Sequence, residues 1–263
     1  MKEKCFYLSS PYKIYYEKII PDKITEKSAI LMIPGGQHTG SCYKTTPDGK
    51  EGWAYFFSKK GFRVYLVDWP GIGRSGHIPL EKINGQFIVQ AFFHLIKKIN
   101  KKIILFTHSM SGPYGWKLGE LVCDRISHII GIAPGSMGNI QPEVKTQRKG
   151  KYYIAKLPSG IQKINLKEPW VPSRNFIMKK LIGKSKLFPR RYIENYLASL
   201  QPIPPRLLYE RVNIKGSQLK IYNFSKYRRV KILMVTGTED IDHSKEKDKA
   251  IVDYFRKHRI KAE

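Results

Sequence analysis

The chain has 263 residues, 41% of them hydrophobic and 12% aromatic, which suits one large domain with a sizeable core and excludes a disordered chain. Its three cysteines, Cys5, Cys42 and Cys123, form no paired spacing, which argues against a disulfide framework or a zinc site. The net charge of +27 comes from scattered lysines and arginines without a dense run or a nucleic-acid motif, so nucleic acid is not the expected partner, although an acyl carrier or an anionic lipid fits the charge.

Charges and tyrosines interrupt the opening MKEKCFYLSSPYKIYYEKII before a signal-peptide length of apolar residues accumulates, and no later run approaches a membrane span. A cytoplasmic protein is therefore expected. Apolar, β-rich runs follow at Cys5–Leu8, Tyr12–Glu17 and Ala29–Ile33, the last (AILMI) without the alternation of a half-exposed strand. Trp53–Lys60 reads as a helix stopped by Gly61, and Phe62–Asp68 as a buried strand. Phe87–Ile99 has helical periodicity, Ile103–Thr107 is a short buried strand, Gly112–Val122 a helix and Ile126–Ala133 a strand. This alternation predicts an α/β fold, a mostly parallel central sheet with helices on both faces. From Asn139 to Tyr227 the chain turns basic, proline-spotted and weakly helical, with Tyr192–Leu200 the clearest helix. A strand returns at Lys231–Thr236 and a helix at about 247–258. The expected organisation is a core over 1–138, an inserted helical cap over 139–227 and a return to the core over 228–263.

The strongest chemical signal is Thr107-His108-Ser109-Met110-Ser111-Gly112, between a buried strand and a helix. A serine on a sharp strand-to-helix turn presents its hydroxyl clear of the sheet, provided that the residues two before and two after are small. Thr107 and Ser111 are small, though neither is the usual glycine, and Pro113 suits a first helical turn. The helix N-terminus behind Ser109 adds positive potential where an oxyanion forms. Ile33-Pro34-Gly35-Gly36-Gln37 follows the earlier strand, and glycines there let a backbone N–H approach a substrate oxygen. The N–H of Gly36 or Gln37 and that of Met110 are the expected oxyanion hole.

Gly71-Ile72-Gly73-Arg74-Ser75-Gly76 matches the dinucleotide-binding glycine pattern after a strand, but Pro79 follows quickly and the next strand ends in Thr107-His108-Ser109 rather than in an acid. It reads as a turn, with Asp68 a structural carboxylate.

Asp68-Trp69-Pro70-Gly71-Ile72-Gly73-Arg74-Ser75 and the Ser109 turn resemble the α/β-hydrolase superfamily. A bacterial esterase-like subgroup is similar over a longer run, Thr45-Thr46-Pro47-Asp48-Gly49-Lys50-Glu51-Gly52-Trp53 with Tyr55-Phe56 and Gly61. The resemblance covers about residues 28–138 and 190–262. It implies a carboxylic-ester hydrolase of the esterase, lipase or thioesterase type, with a Ser-His-acid triad, a small-molecule ester substrate and neither metal nor organic cofactor.

The chain departs from that pattern in two places. Where some subgroup members carry the acid, before a Pro-Gly pair, stands Ala133. The acid is then expected at Asp240 in Val235-Thr236-Gly237-Thr238-Glu239-Asp240, with Glu239 and Asp242 as fallbacks. In the triad order of this fold the histidine follows one further strand, and the chain ends at Glu263 before such a segment, so the expectation is a chain truncated before its last strand and nearly inactive for want of a base. None of the seven histidines fits the role from sequence: His108 sits inside the turn, His243 follows Asp240 too closely for a relay, His258 lies on a helix, His38 follows the glycine turn, and His77, His94 and His128 read as surface or core-edge residues. The missing base, Ala133 and the absent glycines also fit a non-catalytic binding protein with a hydrolase fold, and the charge alone fits a polyanion-binding module.

Overall fold

The computed structural model describes residues 1–8, 11–157, 160–240 and 243–263. Ten strands and seven α-helices are distinguished among them: β1 (Lys2–Leu8), β2 (Ile14–Ile20), β3 (Ala29–Ile33), α1 (Trp53–Lys59), β4 (Arg63–Val67), α2 (Gly85–Lys98), β5 (Ile103–His108), α3 (Gly112–Leu121), β6 (Ile126–Ile132), β7 (Thr146–Lys149), β8 (Tyr152–Leu157), β9 (Gly160–Ile164), α4 (Arg174–Phe176), α5 (Ile193–Ser199), α6 (Pro205–Arg211), β10 (Lys231–Val235) and α7 (Lys245–Lys257).

The central sheet has the order β1-β2-β4-β3-β5-β6-β10. Its first two pairings are antiparallel and the other four parallel, as the alternation of strands and helices predicts. The run AILMI explains itself here. Ala29, Leu31 and Ile33 point into one core with α2, α3 and α7, while Ile30 and Met32 point into another with α1. Every residue of β3 meets packed side chains, so none is polar. β4 divides in the same way, with Tyr65 and Val67 on one face and Val64 and Leu66 on the other.

The glycine-rich stretch after β4 is a turn. Asp68, fully buried, accepts hydrogen bonds from the backbone N–H groups of Gly40 and Arg74, both at 2.9 Å, and from the Arg74 guanidinium Nε at 3.0 Å. Gly73 has φ +58°, and a Cβ there would lie 2.7 Å from Asp68 Oδ2, so only glycine fits. The next helix, α2, starts only at Gly85, capped by Asn84.

Near the two ends of residues 139–227 the Asn139 side chain donates to the Ile221 carbonyl and accepts the Ile221 N–H, both at 2.8 Å, and the stretch between them adds Ala155, Ile164, Ile203, Leu207, Leu208, Val212 and Ile214 to the main core. Short helices occur here, including α5 within the helix expected at Tyr192–Leu200. The segment also carries an antiparallel sheet, β7-β8-β9, which the sequence reading did not anticipate. β7 is Thr-Gln-Arg-Lys and largely exposed, so no apolar alternation announces it.

Candidate active site

β5 runs into a short 3-10 turn, Ser109–Ser111, and then directly into α3. Ser109 has φ +50°, a left-handed backbone that costs a non-glycine residue on the order of 1 kcal/mol or more. The turn is held from three sides. Ser111 Oγ, fully buried, accepts the His108 N–H at 2.8 Å and lies 2.9 Å from Thr107 Oγ1. The Ser109 carbonyl accepts the Gly135 N–H at 2.7 Å. Gly115 on α3 is so close to β5 that a Cβ would lie 2.8 Å from that of Thr107. Strand and helix can cross this tightly because positions 107, 111 and 115 are small.

The glycine turn after β3 is brought to the same place. A Cβ on Gly35 would lie 3.2 Å from Ser109 Cβ, and one on Gly36 would lie 2.8 Å from Met110 Sδ. Gln37, with φ +71°, is buried. The N–H groups of Gly36 and Gln37 make no hydrogen bond among the described residues. Met110 lies in the first turn behind β5, where N–H groups have no partner within a helix. The three expected oxyanion-hole residues therefore share one corner.

Asp240 and His243 arrive from the loop between β10 and α7. The Asp240 carboxylate accepts the backbone N–H of His243 at 2.8 Å, and His243 Nε2 lies 3.5 Å from Ser109 Oγ. The sequence reading set His243 aside because it follows Asp240 too closely for a relay, and the 2.8 Å bond between the two does run to the His243 backbone rather than to its ring, yet the ring itself reaches Ser109. Asp240 thus holds the backbone of His243, and the His243 ring is directed at the serine. Glu239 is exposed, and Asp242 lies outside the described residues. Ala133, at φ +40° after β6, lines the same cavity.

Residues 30–255 match the alpha/beta hydrolase family. The chain belongs to that family. Within it, the chain is 26% identical over 189 residues to "Probable secreted lipase phiG" from Fungal sp. (strain ATCC 74256), an alignment covering 49% of this chain and 52% of that protein, so the chain spans about half the length of this curated relative. Three solved structures share the fold. A methylesterase protein from Arabidopsis is 18% identical with a TM-score of 0.60, covering 87% of this chain and 85% of that one. A probable hydrolytic enzyme from Pseudomonas aeruginosa PAO1 is 14% identical with a TM-score of 0.60, covering 99% and 85%. The thioesterase domain from the curacin biosynthetic pathway is 14% identical with a TM-score of 0.59, covering 100% and 92%.

This alpha/beta hydrolase has a cavity of about 220 Å³ in front of Ser109, roofed by Trp170, Phe176, Leu181, Tyr196, Ile203 and Leu208 from the 139–227 segment. His38 ties that roof to the glycine turn. Its Nδ1 is 2.9 Å from the Gly36 carbonyl, which only accepts, so Nδ1 carries the proton. Burial lowers the His38 pKa and favours the neutral ring, whose Nε2 then accepts the Tyr196 hydroxyl at 3.1 Å. Burial pushes that phenol up to about 12. The Gln37 carbonyl accepts the Gln201 N–H at 2.8 Å, a second tie between turn and roof. His108 stands beside this group. Burial, and then the neighbouring His38 and His243 rings, lower its pKa to about 3. No motif announced His38 as a brace; its one sequence cue was its place after the glycine turn.

Among the described residues no helix is long and apolar enough to cross a membrane.

Proposed function

We propose that this chain is a serine hydrolase of carboxylic esters, with residues 139–227 as the cap over the site. Ser109 Oγ attacks the ester carbonyl carbon while His243 Nε2 takes the hydroxyl proton. The N–H groups of Met110 and of Gly36 or Gln37 bind the oxyanion. Collapse expels the alcohol, which receives its proton from His243, and water repeats the sequence to free the acid and Ser109. Asp240 is the acid of the triad, holding the His243 loop in place and stabilising the imidazolium by its charge.

The observation that carries this reading is the 3.5 Å approach of His243 Nε2 to Ser109 Oγ, with Ser109 at φ +50°. Such contacts are commonly long without substrate and tighten when it binds. The names of the relatives, a lipase, a methylesterase and a thioesterase, agree with an ester or thioester bond as the target.

One observation favours the alternative of a non-catalytic binding protein: the Asp240 carboxylate accepts the backbone of a histidine only three residues away. A fluorophosphonate probe separates the two readings. The proposal expects stoichiometric phosphonylation of Ser109, read by peptide mass, and a labelling rate at least a hundredfold slower in His243→Ala. Absence of an adduct, or an adduct on another serine, supports the binding protein.

A further inference from the structure

The charge of the chain is unevenly placed. Residues 139–227 carry 19 Lys and Arg against 4 Asp and Glu, a net +15 of the +27 in about a third of the length. Two of these cations, Lys180 beside Phe176 and Arg211 at the end of α6, line the Ser109 cavity, and both are partly buried. Asp240 is the one carboxylate among the described lining residues, and the proposed triad uses it. Phe176, Leu181, Ile203 and Leu208 make the rest of that side apolar.

Beside apolar walls, where charges are less screened than in water, two cations attract an anionic group more strongly than a neutral ester. Each of the two side chains already has an interaction within the chain, so an anion joins or exchanges with existing contacts rather than filling a vacancy. A roof of one sign around a low-dielectric cleft also raises the local concentration of oppositely charged ligands. Resting on the assignment of Ser109 as nucleophile, we infer that the ester or thioester handled here bears an anionic group, a carboxylate or a phosphate. That group lies against Lys180 and Arg211 while the apolar part runs along Phe176, Leu181, Ile203 and Leu208.

Three matched substrates test this: p-nitrophenyl hexanoate, the same ester with a terminal carboxylate, and the same ester with a terminal phosphate. In low salt, kcat/KM for at least one anionic ester is expected to exceed that of the neutral ester about tenfold, and the ratio to shrink towards one in about 0.5 M salt. The larger of the two ratios names the anion. Lys180→Gln with Arg211→Gln brings the ratio close to one, whereas Lys156→Gln, exposed on β8, preserves it. A ratio near one in the wild type, or one that the double substitution does not change, overturns the inference. Lack of turnover with all three esters counts against the hydrolase reading alone, because the same ratios, measured as Kd on Ser109→Ala by calorimetry, still decide the anion preference.

Discussion

His243 Nε2 lies 3.5 Å from Ser109 Oγ across 134 residues of sequence, one side of the pair on a strained turn and the other on a loop pinned by Asp240. The serine is held by packing that the sequence advertises through small residues. The histidine is held by how one loop docks on the end of the sheet.

The bridge from the Gly36 carbonyl through His38 to Tyr196 braces the glycine turn from the roof. Its loss leaves the turn in place but less ordered. His38→Ala is expected to lower kcat about 10–100-fold with a smaller change in KM, and Tyr196→Phe by less than tenfold, the worth of one hydrogen bond of about 1 kcal/mol. His38→Asn, which restores a donor to the Gly36 carbonyl, should recover part of the rate. A change confined to KM in all three variants would show that His38 serves binding only.

His108 gives the fold a dependence on acid. Its folded pKa, about 3, is below the usual 6.5, so between these values the unfolded chain holds a proton that the folded chain does not. Stability supplied by this ring is complete above about pH 6.5 and is lost as pH falls towards 3, by up to about 1.4 kcal/mol per pH unit. Urea melts at stepped pH should show a shallower loss in His108→Asn than in the wild type. Parallel profiles would contradict the shift.

Glu210 acts in the opposite sense. Burial, opposed by the Gly85 N–H that it accepts at 2.7 Å, raises its pKa to about 7 from 4.5. Between these values the folded chain holds the extra proton, so this contribution is present below about pH 4.5 and is lost as pH rises to 7. Glu210→Gln should gain stability over the wild type at pH 8 relative to pH 4.5, which thermal melts at the two pH values can read. An equal difference at both would contradict it.

Asp68 follows β4 directly, has no exposed surface and gathers Gly40, Arg74 and the turn at Gly73. Asp68→Ala removes the acceptor and strands these donors, which should cost about 3–5 kcal/mol. A urea midpoint corresponding to less than 1 kcal/mol would mean that the turn holds without it.

The sequence announced what packing dictates. β3 was legible because both of its faces are covered, the Ser109 turn because only small residues let β5 and α3 cross, and Asp68 because a glycine turn follows it. The polar strand β7 was not legible, because its pairing comes from backbone bonds and leaves no alternation in side chains. Nor was His243, because spacing along the chain does not reveal where a ring points once its loop has docked. The same is true of Lys180 and Arg211, two of many scattered cations until the roof folds over the serine.

The most direct measurement is the initial rate of p-nitrophenyl butyrate hydrolysis by the wild type, Ser109→Ala, His243→Ala and the double variant. Groups that act as one unit fail together, so each single change should lower kcat about 10³-fold or more and the double change should lower it little further. Turnover by His243→Ala equal to that of the wild type, with Ser109→Ala inactive, would place the general base elsewhere in the molecule; equal turnover by all four proteins would remove Ser109 from the chemistry altogether.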